Sequence, residues 1–330
     1  MKSNRIIYLD ILRVLACCMV VLMHSPHPES GVPGYIQVPL YFLTAPCIGL
    51  FFMVSGALLL PSTMSADAFL KKRLGKIAGP WIFWTLFYLL VTIFEGRLSE
   101  ISTETFVFLS PIGPHLWFMY VLTGLYLLVP ILSPFILSAS KKKLQLYLTL
   151  WGGTLVLPCF FTSNSGNYNP FYYFSGYVGY FVLGYYCHTY KPNFARFFIP
   201  ILLIVVLVRY GYYLGGGVRG PELFFYLSVP VVLMSVAWFS LVQKTCENRT
   251  RWGVVFAMIS NCSFGIYLVH MFVMRCVLWN IDFFTNGIGW VGQLMTSFVI
   301  TLLISFVLTW LISFLPYSEY IVGFTNKKKK

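Results

Sequence analysis

An aspartate, an arginine and a histidine interrupt the first apolar stretch of the chain, YLDILRVLACCMVVLMHS, residues 8–25. An ionisable group at membrane depth is costly, so it faces a cavity or a partner and points to function. Asp10 and Arg13 stand three residues apart, the spacing of an i,i+3 ion pair. His24 follows Arg13 by eleven residues, which at about 100° per residue returns to nearly the same helix face, roughly 16 Å further along the axis. One stripe could thus hold a guanidinium near one membrane face and an imidazole near the other. An imidazole titrates near neutrality and can take a proton from a hydroxyl, the work of a general base. Blander readings stay open: Asp10 and Arg13 could simply orient the helix, and His24 could be a satisfied interfacial residue. His24-x-x-His27 has the residue types of a metal site, but Pro26 interrupts the helix and no third ligand is evident, so no metal is expected.

Three further groups carry side chains suited to binding. In SFGIYLVH, residues 263–270, Ser263, Tyr267 and His270 fall at i, i+4 and i+7, one helical face; they could line a passage or form an interhelical hydrogen-bond cluster. His115, Trp117 and Tyr120 open another apolar stretch, where aromatic faces could stack on a sugar or form an interfacial belt. Lys71, Lys72, Arg73 and Lys76 gather in FLKKRLGKIAGPW, residues 69–81, read as a basic loop. Arg209, Arg219, Glu222 and Arg275 are expected near the outer surface.

The elements that must position these groups are membrane helices. Of 330 residues, 58% are hydrophobic and only 10% charged, too few charges for a soluble surface. Leu223–Val242, His115–Ser140 and Val291–Leu315 each lack Asp, Glu, Lys and Arg, and each reaches the length of about 20 residues that hydrocarbon requires. The composition implies an all-α polytopic membrane protein of about ten spans, near 6–24, 41–60, 78–94, 115–138, 145–161, 171–189, 197–214, 223–243, 253–278 and 291–315. Lys and Arg concentrate in alternate connections, so both termini are expected in the cytoplasm. The net charge of +13 is then explained by loops meeting anionic lipid heads, with no nucleic acid as partner. No connection is long enough to form a second domain, so residues 1–330 read as one transmembrane domain with a short basic cytoplasmic tail at 317–330. The eight cysteines form no CxxC pair and read as small buried hydrophobes.

The ordered set of motifs resembles the acyltransferase-3 family of membrane acyltransferases. Arg13-x10-His24 preceded by Asp10 is similar to its first-helix signature, FFMVSGALLL at 51–60 to its FF-x-[IV]-SG motif, and the basic stretch to its RxxR element. SFGIYLVH matches its late segment, and HLWFMYVLTGLYLLVP at 115–130 resembles its sugar-modifying members. The second basic position of RxxR is Lys76, which keeps the charge but loses the planar fork of arginine. Leu122 and Thr123 stand where many members carry a glutamate pair.

The resemblance implies an O-acyltransferase of a bacterial inner (cytoplasmic) membrane. It would move an acetyl or short acyl group from cytoplasmic acyl-CoA, usually acetyl-CoA, to a hydroxyl of a cell-envelope carbohydrate or lipid-linked glycan. In that reading His24 is general base or acyl carrier, Asp10 and Arg13 hold the first helix and face the donor, and Lys72, Arg73 and Lys76 meet CoA phosphates. His115, Trp117, Tyr120, Ser263, Tyr267 and His270 would line the acceptor's path. A transporter of a small organic anion and a non-catalytic envelope-assembly protein are the competing readings.

Overall fold

A computed structural model describes residues 5–27, 32–102, 105, 110–156, 176–214, 226–247, 253–285 and 287–326. Its elements are helical, and no strand occurs among the described residues. In chain order the helices are α1 Ile7–His24, α2 Gly34–Thr44, α3 Pro46–Leu59, α4 Ala66–Phe94, α5 Trp117–Ser138, α6 Lys141–Val156, α7 Val178–Tyr190, α8 Phe198–Leu214, α9 Val229–Cys246, α10 Gly253–Met271, α11 Asp282–Thr285, α12 Trp290–Ile312 and α13 Glu319–Val322. Among the described residues, seven helical stretches are long and apolar enough to cross a membrane. The chain is a multi-pass membrane protein. The described parts of the expected spans near 145–161, 171–189 and 197–214 hold α6, α7 and α8; residues 157–161 and 171–175 lie outside the described ones.

Three expectations are corrected. The basic stretch 69–81 is not a loop but the first half of α4, 29 residues long. Lys, Arg and Leu are good helix formers, and Pro80 is accommodated inside the helix, buried among its neighbours. At about 1.5 Å per residue α4 runs roughly 43 Å, more than the roughly 30 Å of hydrocarbon, so part of it projects beyond the apolar layer. The connection between the expected spans 6–24 and 41–60 contains the start of α2 at Gly34. The supposed tail folds back: Ser318 and Val322 are fully buried, the Trp84 indole donates to the Ile321 carbonyl at 2.8 Å, and Asn326 N–H reaches the Ser313 carbonyl at 2.9 Å. Residues 327–330 lie outside the described ones.

The core gathers on α3. Of the span containing it 78% is buried, against 22% of α12, so α3 is central and α12 presents most of its surface outward. The SG of FFMVSG explains how α3 sits so deep. A Cβ on Gly56 would stand 1.9 Å from the Phe181 carbonyl oxygen, and one on Gly184 would stand 1.9 Å from that of Met53. Backbones of α3 and α7 therefore touch, the close approach that small residues permit in membrane helices. α1 packs between α3 and α10, which carries its polar stripe into the bundle rather than to lipid.

Candidate active site

The site is built along α1, and its two ends differ. At the N-terminal end Asp10 is buried, 6% exposed. Its direct ion-pair partner is Arg5, not Arg13: Arg5 Nε donates to Oδ2 at 2.5 Å and Nη2 to Oδ1 at 2.9 Å. Arg5 lies before the first helical turn and can fold back over it, a bidentate geometry preferred by guanidinium and carboxylate. Its Nη2 also reaches the Ala257 carbonyl and Asn261 Oδ1 on α10. Arg13 meets Asp10 through an intermediary. Its Nη1 donates to Ser260 Oγ at 3.2 Å, and that hydroxyl donates to Asp10 Oδ1 at 2.7 Å. The network fastens α1 to α10.

Arg73 on α4 faces the same region. Arg13 and Arg73 lie within electrostatic reach of one another, and the Tyr126 phenol of α5 interacts with both. Arg73 Cζ stands 6.0 Å from the Phe69 ring centre, and Phe69 meets Tyr126 edge-on at 6.4 Å. Arg73 Nε is buried without a hydrogen-bond partner. Two like charges held near an aromatic wall, one with an unused N–H, favour an anion between them. Lys72 and Lys76 are exposed; of the three expected donor-binding cations, Arg73 is the one turned inward.

The other end is imidazole-rich. His24 Nδ1 lies 2.8 Å from the Val20 carbonyl. A carbonyl can only accept, so Nδ1 carries the proton and Nε2 is left with its lone pair. The His24 ring is 5.3 Å from His270, and His270 is 5.4 Å from His115, centre to centre. His270, fully buried, spends Nδ1 on the Tyr267 carbonyl at 2.6 Å, while its Nε2 has no partner. His115 is 4% exposed, and neither ring nitrogen has a partner. A cavity of about 150 Å³ opens here, lined by His24, His115, Trp117, Tyr226, Tyr267 and Met23 among others. Trp117 and Tyr226 stack at 5.4 Å and 23°, and the Tyr267 hydroxyl donates to the His115 carbonyl.

The expected residues therefore divide. His24, His115, Trp117, Tyr267 and His270 converge on one place, and Asp10, Arg13 and Arg73 on another. The two lie on a common side of α1, since Arg13 and His24 both reach α10. The cavity at His24 does not include Arg13 or the basic segment in its lining. Ser263 and Tyr120 are not in the lining of that cavity. Ser263 Oγ is spent on the Ser260 carbonyl at 2.8 Å, and Tyr120 packs edge-on to Trp81 at 4.6 Å. Arg275 is exposed; Arg219, Glu222 and the side chain of Arg209 lie outside the described residues. Among the described residues no group of three or more His, Cys, Asp or Glu could hold a metal ion.

Sequence reasoning passed over Arg5, Ser260, Tyr126 and Tyr226. Arg5 lies outside the first apolar stretch, although its place five residues before Asp10 allows the fold-back. Ser260 stands one turn before Ser263 on the same face and carried a signal that could have been read. Tyr126 and Tyr226 had none, because apolar helices rich in tyrosine offer no reason to single out one.

The described residues thus form a helical membrane bundle with a histidine cluster at one end of α1 and a cationic corner at the other. The family model described as an acyltransferase domain matches residues 6–312, so the chain belongs to the acyltransferase-3 family and is a membrane acyltransferase. No curated protein and no solved structure matches it.

Proposed function

We propose that this acyltransferase moves an acetyl or other short acyl group from acyl-CoA to a hydroxyl of a cell-envelope carbohydrate, at a bacterial cytoplasmic membrane. Both termini and the basic end of the bundle face the cytoplasm, where acyl-CoA is available. The observation that carries the chemical part is the fixed tautomer of His24: with Nδ1–H spent on the Val20 carbonyl, Nε2 offers a lone pair beside the cavity. The acceptor oxygen attacks the thioester carbonyl carbon, the C–O bond forms and the C–S bond breaks. The hydroxyl proton passes to His24 Nε2 and leaves with the sulfur as CoA thiol. Arg13 and Arg73 hold a phosphate of the donor, and its extended arm covers the roughly 16 Å of axis between the cationic corner and His24.

Detergent-purified protein, acetyl-CoA labelled in its acetyl group and an envelope glycan fraction test this reading. Label is expected on the glycan with one CoA thiol released for each acetyl transferred. Flux of label into liposomes without thioester cleavage would replace the enzyme by a transporter. Inertness in both assays would leave an assembly protein.

A further inference from the structure

His115 is the most unsatisfied polar side chain at the cavity. It is 4% exposed, lines the cavity, and neither nitrogen has a partner. A neutral imidazole carries one N–H and one lone pair. The protein groups that approach the ring offer lone pairs: the Leu268 carbonyl lies beside it, and His270, 5.4 Å away, has already used Nδ1–H on the Tyr267 carbonyl, so its Nε2 is an acceptor. Placing the His115 lone pair against these acceptors would leave buried groups repelling each other, at a cost comparable to a lost hydrogen bond. The N–H therefore turns toward the protein and the lone pair is left for the cavity. His24 Nε2 presents a second lone pair to the same space. The Tyr267 hydroxyl adds no donor, being spent on the His115 carbonyl.

A cavity with two imidazole lone pairs calls for two O–H donors. We infer that the acceptor is recognised as a diol. The hydroxyl to be acylated gives its proton to His24, and a neighbouring hydroxyl on the same ring donates to His115. Trp117 and Tyr226, stacked along the wall, cover the apolar face of that ring. This rests on the acyl-transfer reading above and adds the acceptor's chemical class and the role of His115.

Thiol release from acetyl-CoA by the full chain in detergent tests the idea, with cis-1,2-cyclohexanediol and cyclohexanol as acceptor surrogates. The diol is expected to act at about tenfold lower concentration than the mono-ol, the size of one buried hydrogen bond. His115→Phe should bring the diol down to the level of cyclohexanol. His115→Gln, which keeps an acceptor oxygen, should retain the preference. Equal potency of the two alcohols on the unaltered protein, or a preference unchanged in His115→Phe, overturns the diol assignment while leaving acyl transfer intact. No release that depends on His24 under any condition removes the acyl-transfer reading, and the diol with it.

Discussion

At the start of α1, Asp10 accepts from Arg5 and Ser260, and Ser260 accepts from Arg13. Eleven residues beyond Arg13, at the other end of α1, His24 and His270 spend one nitrogen each on backbone carbonyls, and His115 spends neither. Both regions place polar groups in an apolar bundle, but the first has largely satisfied its own and the second has not. Satisfied buried networks rigidify a fold, whereas buried groups without partners are retained where a ligand supplies what is missing. The charged end is accordingly a fastener with one open corner at Arg73, and the imidazole end is where chemistry is expected.

The largest effect separating the two ends is on rate. His24→Ala should lower acyl transfer by about 10²–10⁴-fold, the range of a lost general base. Thermal unfolding in detergent should barely change, because the ring makes one hydrogen bond to its own helix. A normal rate at normal protein level would end the base assignment. Next comes donor affinity: Arg73→Ala should raise KM for acetyl-CoA about tenfold or more, from one lost charged hydrogen bond. Lys72→Ala and Lys76→Ala should change it less than about threefold, as both are exposed. Equal effects at all three positions would restore a diffuse basic surface in place of the inward corner.

Asp10→Ala breaks the fastener and should appear as lost stability with kcat less affected. Removing one partner of a fully buried pair costs roughly 3–5 kcal/mol, but the Arg5 side chain is 41% exposed, so about 1–2 kcal/mol is expected. Unchanged unfolding would show that the network does not hold α1. The smallest effect is Ser263→Ala, under about 0.5 kcal/mol and without kinetic consequence, because that hydroxyl bonds only its own helix. A loss of rate there would return Ser263 to the site.

Much of this is legible in the sequence. Uninterrupted apolar stretches require helices wherever hydrocarbon is the solvent, and a charged group inside one must turn inward. The common side of Arg13 and His24 followed from helical period alone. The same period failed in two places. It assigned Ser263 to the site with Tyr267 and His270, though a serine can satisfy itself on the preceding turn. It also passed over α12, where Gln293, Ser297, Thr301, Ser305 and Thr309 recur every four residues and are all buried; read as an apolar run, 291–315 concealed the stripe that lets α12 lie against α10.

The sequence by itself therefore determined the membrane class, the polar stripe of α1 and the candidate base, since burial cost and helical period act within one segment. Tertiary structure alone decided who partners whom: Arg5 rather than Arg13 on Asp10, Arg73 rather than Lys72 or Lys76 toward Arg13, and three histidines from α1, α10 and the approach to α5 in one cluster. These choices depend on which helices are neighbours and how closely their backbones approach. Residues such as Gly56 and Gly184 set that distance through contacts more than a hundred positions apart, which no local pattern records.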